Sequence, residues 1–91
     1  MRRVITEKEF IKGLKRQKKR GKDHRKLEAI VALLINDISL PYNAHPHKLK
    51  GEWQGLWECH IESDWLLIYG CDDETITLSA TGTHQDLFKK Y

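Results

Sequence analysis

The sequence predicts an α+β domain in which two N-terminal helices pack on a three- to four-stranded antiparallel meander sheet, with a short helix at the C-terminus. Apolar residues recur at helical spacing in the N-terminal part of the chain, and from His47 onward they alternate with a period of two. Turn-forming residues separate the alternating segments. A chain of 91 residues can bury one modest core, so we expect one domain over residues 1–91.

The first helix is expected over residues 6–20, after a possible short strand at residues 2–5. Thr6, followed by Glu9 three residues later, matches the capping box that opens many helices, and Gly21 fits a C-terminal stop. The apolar positions form a narrow stripe, Phe10, Ile11 and Leu14. The remaining positions are mostly Lys, Arg and Gln, which predicts an amphipathic and strongly basic helix.

The second helix is predicted over residues 23–37, with Asp23 as its N-terminal cap. Its apolar residues follow the spacing of a core-facing stripe: Leu27, Ile30, Val31, Leu34 and Ile38. Pro41 ends the helical pattern, and residues 39–46 are interpreted as a connecting loop. This helix should supply most of the helical part of the core.

Three strands are expected next, at residues 56–62, 65–69 and 75–80, before a short helix at residues 83–89. The first alternates, with Trp57, Cys59 and Ile61 on one face and Glu58, His60 and Glu62 on the other. The second is apolar throughout, as in a central strand. Turns are predicted at residues 52–55, 62–64 and 72–74.

Charge is divided unevenly along the chain. Residues 1–26 contain twelve Lys or Arg and three acids, whereas residues 27–91 contain four and ten. Such a basic segment favours a polyanionic partner such as nucleic acid, although a solvated helix face is the alternative. No apolar run is long enough to span a membrane, and we expect a soluble, cytoplasmic protein. Cys59 and Cys71 are expected to be buried thiols.

The predicted hairpins gather His47, His60, Asp64 and His84 at one end of the sheet. Residues equidistant from a turn lie opposite each other, which places His47 opposite about Cys59 and Asp64 opposite Thr81 or Gly82. A register shift of one residue would move His60 to the other face. Two histidines can serve as general base and acid near neutral pH, as cleavage of RNA by its own 2′-hydroxyl requires. Lys48 and Lys50 are candidates for the cation that stabilises the phosphate.

Other interpretations stay open at this point. Three histidines and a carboxylate could bind zinc, although no tightly spaced ligand pair is present, and the four residues could be unrelated surface groups. His45 could replace His47, and Phe88 could be a packing anchor or a platform for a base. Trp57 and Trp65 are expected in the core, and Trp53 is left undecided.

Several ordered segments resemble one known family, the YafQ-type toxins of the RelE superfamily. They read HKLKGEW at residues 47–53, ECHIESDWLLIY at 58–69, TGTH at 81–84 and LF at 87–88. The resemblance implies a RelE-like fold, similar to microbial ribonucleases. It implies a ribosome-dependent toxin that cleaves mRNA in the A site, leaving a 2′,3′-cyclic phosphate and a 5′-hydroxyl. It further implies inhibition by a DinJ- or RelB-like antitoxin, with no metal, other cofactor or membrane partner.

The resemblance also assigns roles to residues. His47, His60, Asp64 and His84 match the catalytic cluster, with His84 as general acid and Asp64 with His60 or His47 supplying the base. Phe88 matches an aromatic residue near the substrate. The basic residues of the N-terminal helices would contact ribosomal RNA: Lys12, Lys15, Arg16, Lys18, Lys19, Arg20 and Lys22. A non-catalytic or gyrase-directed ParE-like toxin is the alternative function, and a zinc hydrolase is a third.

Overall fold

The computed structural model describes residues 1–88 and contains a five-stranded sheet with three α-helices. The strands are β1 (Arg3–Thr6), β2 (His47–Lys48), β3 (Trp57–Glu62), β4 (Trp65–Cys71) and β5 (Thr75–Gly82). The helices are α1 (Lys8–Lys19), α2 (His24–Ile35) and α3 (His84–Leu87), and 3₁₀ turns occur at Tyr42–Ala44 and Gly51–Trp53. The α+β class, the two N-terminal helices and the short C-terminal helix are confirmed. Residue 89 of the predicted final helix lies outside the described residues.

The sheet is mixed, with the strand order β1-β5-β4-β3-β2. Its β2-β3-β4-β5 part is the predicted antiparallel meander, but β1 pairs with β5 in parallel. The predicted meander is therefore confirmed with four strands, and the sheet differs from the expectation by the parallel β1 at one edge, where only a possible short strand at residues 2–5 was expected. All four residues of β1 are exposed, and local periodicity could not reveal its parallel pairing with β5. Its partner begins 72 positions after it, at Thr75 opposite Arg3.

Helix α1 begins two residues later than predicted. Thr6 pairs with Leu78 as the last residue of β1, and the N-terminal cap is Glu7, which makes no side-chain capping hydrogen bond. The predicted capping box between Thr6 and Glu9 is therefore wrong. The buried face also differs, because Ile11 is 43% exposed whereas Gln17 is fully buried. The residues of this helix that are buried are Phe10, Gly13 and Gln17.

Helix α2 supplies the core-facing stripe that its spacing predicts. The Asp23 carboxylate accepts a hydrogen bond from the Arg25 backbone N–H at 3.0 Å and caps the helix. The Arg25 side chain also donates to it, and together these contacts lower the pKa of Asp23 to about 2. Leu27, Ile30 and Leu34 are buried, but Ile38 lies beyond the end of the helix and is 55% exposed. Its assignment to the core was wrong.

Strand β4 is the centre of the core, as its continuous apolar run predicts. Residues 65–69 are all buried, and the Trp65 indole N–H donates to Thr81 Oγ1 at 2.9 Å. Thr81 Oγ1 in turn donates to the Leu66 carbonyl at 2.6 Å, which ties β4 to β5. Cys59 is buried, and burial raises its pKa to about 12, but Cys71 is exposed, contrary to expectation. No helix within residues 1–88 is long and apolar enough to cross a membrane.

The closest approach between α1 and the sheet occurs at Gly13. A Cβ atom at this position would lie 2.0 Å from the Thr81 carbonyl oxygen, a distance that rigid backbone cannot accommodate. Glycine therefore allows α1 to lie directly on β5. This contact positions the segment that follows β5.

We predict that Gly13→Ala lowers the free energy of unfolding by at least about 2 kcal/mol, because overpacking outweighs helix propensity. At an exposed helical site the same change would stabilise by about 1 kcal/mol. Urea denaturation measures the difference, with Lys12→Ala, an exposed neighbour on α1, as the control. A Gly13→Ala protein as stable as the parent would show that the helix does not contact the strand this closely.

Candidate active site

Five ionisable side chains meet where β2, the β3–β4 turn and the start of α3 come together. A chain of contacts joins His47 to Glu58, Glu58 to His60, His60 to His84, and His84 to Asp64. The structure thus brings together all four residues predicted from the hairpin geometry. It adds Glu58, which the sequence analysis placed on the correct face but did not include among the catalytic candidates.

The shortest contact in this cluster is between Asp64 and His84. Asp64 Oδ1 accepts a hydrogen bond from the His84 backbone N–H at 2.8 Å and lies 2.6 Å from the ring Nδ1. The hydrogen bond from the His84 backbone N–H makes the larger contribution to lowering the pKa of Asp64, and the contact with the His84 ring makes the next largest. Because the carboxylate accepts the Nδ1 proton, Nε2 is the ring nitrogen left to exchange protons with a bound molecule.

His60 and Glu58 form the floor of the cluster. Their strand positions pair with Leu66 and Ile68 of β4, which places both side chains on the same face of the sheet. Glu58 is only 5% exposed, and its Oε1 lies 3.8 Å from His60 Nε2. The His60 ring lies 5.8 Å from the His84 ring and 6.0 Å from that of His45, measured between centroids. A buried carboxylate thus faces a half-buried imidazole.

His47 joins the cluster through Glu58. It pairs with Glu58, one residue from the predicted position opposite Cys59. Its Nε2 lies 3.4 Å from Glu58 Oε1, and its Nδ1 lies 2.9 Å from the His45 carbonyl oxygen. Since that carbonyl can only accept, Nδ1 is the protonated nitrogen. His45 itself adopts a left-handed backbone conformation, with φ of 45° and ψ of 58°.

The two candidate lysines lie away from this cluster. Lys48 pairs with Trp57, and its Nζ lies 5.7 Å from the centre of the indole ring. Consecutive strand residues point to opposite faces, so Lys48 is on the face opposite His47. Lys50 is exposed beyond the end of β2. The structure therefore does not place Lys48 where it could stabilise charge in the cluster, and an RNA contact for either lysine stays a prediction.

The aromatic residues divide between core and site. Trp65 is fully buried and Trp57 packs against the core, as predicted. Trp53 and Phe88 are half-buried, and their rings meet edge to face with centroids 6.5 Å apart. Phe88 follows α3, the helix that begins with His84. The Phe88 backbone N–H donates to the His84 carbonyl at 2.8 Å, so this aromatic pair lies at the end of the short helix that His84 begins.

The basic residues of the N-terminal helices belong to two groups. Arg20 pairs with Asp86, and Lys22 and Lys26 both bind Glu62 at 2.7 Å. Arg20 and Lys22, which were expected to contact RNA, are therefore paired with acids of the same chain. The other expected RNA contacts form no ion pair within the described part of the chain: Lys12, Lys15, Arg16, Lys18 and Lys19. Part of the basic charge therefore stabilises the fold, and part is available to a polyanion.

A metal ion could be held by a different set of ligands from the one considered from sequence. Glu58, His60 and His84 each offer one ligand atom, and these atoms lie within 4.8 Å of one another. Carboxylate and imidazole ligands suit zinc or copper. Asp64 is not in this set, since it is bound to Nδ1 of His84. A bound metal would occupy atoms that could otherwise transfer protons.

Glu62 should make stability depend on pH. The Lys22 and Lys26 ammonium groups lower its pKa, so its contribution is present above the ordinary Glu value and is lost as pH falls through the lowered one. We predict that Glu62→Gln loses at most about 1 kcal/mol at pH 7 and that this difference disappears as pH falls through the lowered pKa of Glu62. Urea denaturation across this range is the measurement, with Glu28→Gln on α2 as the control. A Glu62→Gln deficit independent of pH would contradict the ion-pair account.

The chain is similar in sequence and in fold to proteins of one family. A family model described as "Bacterial toxin of type II toxin-antitoxin system, YafQ" matches residues 2–89. The mRNA interferase toxin YafQ of Escherichia coli K12 is 41% identical over 81 residues, 88% of each chain. In a crystal structure of the E. coli DinJ-YafQ toxin-antitoxin complex, the matched chain has a TM-score of 0.87 and 39% identity, with 96% of this chain and 97% of that chain covered. A metal-bound toxin from Helicobacter pylori has a TM-score of 0.89 and 34% identity, with coverages of 97% and 100%. The chain therefore belongs to the YafQ family of bacterial type II toxins.

Proposed function

We propose that this protein is an endoribonuclease toxin that cuts mRNA in the ribosomal A site by general acid and base catalysis, without a metal ion. The observation that carries the proposal is the Asp64–His84 pair beside His60 and Glu58. Similarity to the mRNA interferase toxin YafQ of E. coli supports RNA as the substrate.

The proposed reaction is an internal transfer at phosphorus. The 2′-oxygen of the RNA attacks the adjacent phosphorus, and the bond from phosphorus to the 5′-oxygen breaks. A base takes the 2′-hydroxyl proton, and an acid gives a proton to the departing 5′-oxygen. The products are a 2′,3′-cyclic phosphate and a 5′-hydroxyl. Each proton transfer contributes roughly 10²- to 10⁴-fold to the rate.

His84 is the proposed general acid. Asp64 holds its backbone and its Nδ1, which fixes the ring and directs Nε2 away from the carboxylate. Asp64 thereby orients the imidazole, in the way that the buried carboxylate of a catalytic triad holds its histidine. This use of Asp64 leaves the base role to a histidine.

His60 or His47, each next to the buried Glu58, is the proposed base. His47 is also a candidate for the cation that stabilises charge on the phosphate. It can donate from Nδ1 to the His45 carbonyl and from Nε2 to Glu58, and in that doubly protonated form it carries a positive charge. A fixed cation at the site stabilises charge that develops on the phosphate.

The surroundings of the cluster suit RNA held on a ribosome. Trp53 and Phe88 offer an aromatic surface for a base, and stacking of this kind contributes about 1–3 kcal/mol per base. The exposed Lys12, Lys15, Arg16 and Lys19 can contact phosphates of ribosomal RNA, a binding mode that weakens as salt rises.

An antitoxin is the proposed protein partner. The related E. coli toxin is described in a complex with DinJ, and we propose that a cognate DinJ-like protein likewise binds and inhibits this chain. The proposal requires no contribution from a small molecule or a membrane.

We predict that His84→Ala lowers the rate of mRNA cleavage by roughly 10²- to 10⁴-fold and abolishes growth arrest on expression, because the leaving group loses its proton donor. In cells that express the parent protein, sequencing of RNA ends should show breaks phased with codons, with 5′-hydroxyl ends. His24→Ala, at an exposed histidine on α2, is the control. Full toxicity of His84→Ala would remove the proposed acid.

A metal-dependent hydrolase is the second candidate, favoured by the grouping of Glu58, His60 and His84. In that mechanism a chelator selective for zinc over magnesium abolishes cleavage, and the active protein contains stoichiometric metal. In the acid–base mechanism the same chelator, which leaves the magnesium that ribosomes need, does not change the rate, and added Zn²⁺ inhibits it by occupying the same nitrogens.

Glu58→Gln should slow cleavage by roughly 10- to 100-fold at saturating RNA, since His60 and His47 lose the carboxylate that supports their charged forms. The removal of a negative charge should not weaken RNA binding, so the half-saturating RNA concentration should stay constant or fall. Single-turnover kinetics separate the two effects, with Glu28→Gln as the control. A loss confined to RNA affinity would exclude a supporting role for Glu58.

A further inference from the structure

The chain segment that ends in His84 is held between two helices. On one side α1 lies directly on β5, where a Cβ at Gly13 would be 2.0 Å from the Thr81 carbonyl oxygen. On the other side α3 begins at His84 itself. The segment from Thr81 to His84 is short, so the orientation of His84 depends on how α3 is attached to the rest of the protein.

Arg20 makes that attachment. At the end of α1 its guanidinium binds both carboxylate oxygens of Asp86, with Nη1–Oδ2 at 2.6 Å and Nη2–Oδ1 at 3.1 Å. Its Nη1 also donates to Gln17 Oε1 at 2.7 Å, and Gln17 is fully buried. Two parallel hydrogen bonds fix the relative orientation of the groups as well as their distance. Arg20 therefore connects α3 to a buried residue of α1.

Asp86 also organises the residues before His84. Its Oδ2 accepts a hydrogen bond from the Thr83 backbone N–H at 2.9 Å, and Thr83 Oγ1 accepts from the Asp86 N–H at 3.1 Å. At Gly82 a Cβ would lie 2.9 Å from the same Asp86 oxygen, so glycine makes room for the carboxylate. One carboxylate thus binds both the backbone N–H of Thr83 and the guanidinium of Arg20.

We propose that Arg20 and Asp86 are positioning residues for His84: their bidentate ion pair fixes α3 so that His84 keeps both contacts with Asp64. The catalytic part of this inference rests on the proposed function. A helix of four residues has almost no stability of its own, so α3 needs an external attachment to hold a fixed direction. Displacement of a catalytic group by about 1 Å can cost 100-fold in rate.

Asp86→Asn separates positioning from RNA binding. It removes a negative charge, so electrostatics alone would tighten the binding of RNA. The asparagine keeps an oxygen that can accept from the Thr83 N–H, but it loses the ion pair with Arg20. A slower reaction at saturating RNA in this variant therefore reports on geometry and not on affinity.

The test compares Asp86→Asn, Arg20→Gln and Arg20→Lys with the parent in single-turnover cleavage of ribosome-bound mRNA. We expect Asp86→Asn and Arg20→Gln to lower the saturated rate about 10- to 100-fold, with Arg20→Lys between them and the parent. For Asp86→Asn the half-saturating concentration should stay constant or fall. The control is Arg25→Gln, which breaks the Arg25–Asp23 pair on α2 and should leave the rate unchanged. A saturated rate for Asp86→Asn within about twofold of the parent overturns the proposal.

Amide hydrogen exchange at His84 gives a readout without RNA. In the parent this N–H is bound to Asp64, and in Asp86→Asn its exchange should accelerate more than about tenfold as that bond opens more often. In Arg25→Gln it should stay constant. Unchanged exchange at His84 in Asp86→Asn overturns the positioning role. A parent protein that cuts no RNA would instead remove the proposed function, while the exchange measurement still decides whether the ion pair holds His84.

Discussion

A single carboxylate oxygen, Oδ1 of Asp64, receives two hydrogen bonds from the same residue, one from the backbone N–H of His84 and one from its ring. This double contact requires the β3–β4 turn to lie next to the residues that follow β5. The β4–β5 register supplies that proximity, because Leu66 near the turn pairs with Gly82 near the end of β5. The register between β4 and β5 therefore brings His84, the candidate acid, next to Asp64.

Much of the fold could be predicted because local periodicity and tertiary structure agree in this chain. The apolar run of β4, the stripe of α2 and the turn residues each point to the observed element. The errors occur where long-range contacts decide. Strand β1 is exposed along its length, and Thr6 belongs to it only because Leu78 is its partner. Gln17 is buried because α1 lies so close to β5 at Gly13, a contact that no local pattern reveals.

The candidate site was predictable to the extent that hairpin geometry determines it. Equal spacing from the turns was enough to gather His47, His60, Asp64 and His84, although His47 pairs one residue away from the expected position. The role of Glu58 depends on its burial, which a strand alternating between charged and apolar residues does not specify. The position of Lys48 follows from the same register, which also places it on the opposite face.

The charge asymmetry of the sequence has two consequences in the structure. Basic residues of the N-terminal part pair with acids of the C-terminal part. The pair of Arg20 with Asp86 attaches the end of α1 to α3, and Lys22 binds Glu62 at the end of β3. The basic residues on the outer surface of α1 are left to attract a polyanion. The same helix thus supports the site on one side and presents positive charge on the other.

We propose that His84 protonates the departing 5′-oxygen. This role is tested by cleavage of an mRNA with sulfur in place of that oxygen at the scissile phosphate. A thiolate leaves without protonation, because thiols have a pKa of about 8.5. The 5′-hydroxyl is an alcohol, about as weak an acid as water with its pKa of about 16, so its oxygen needs a proton in order to leave. We expect His84→Ala to cleave normal RNA roughly 100-fold or more slowly than the parent, but to cleave the sulfur-containing RNA only a few-fold more slowly. An equal deficit on both substrates would contradict the assignment of His84 as the general acid.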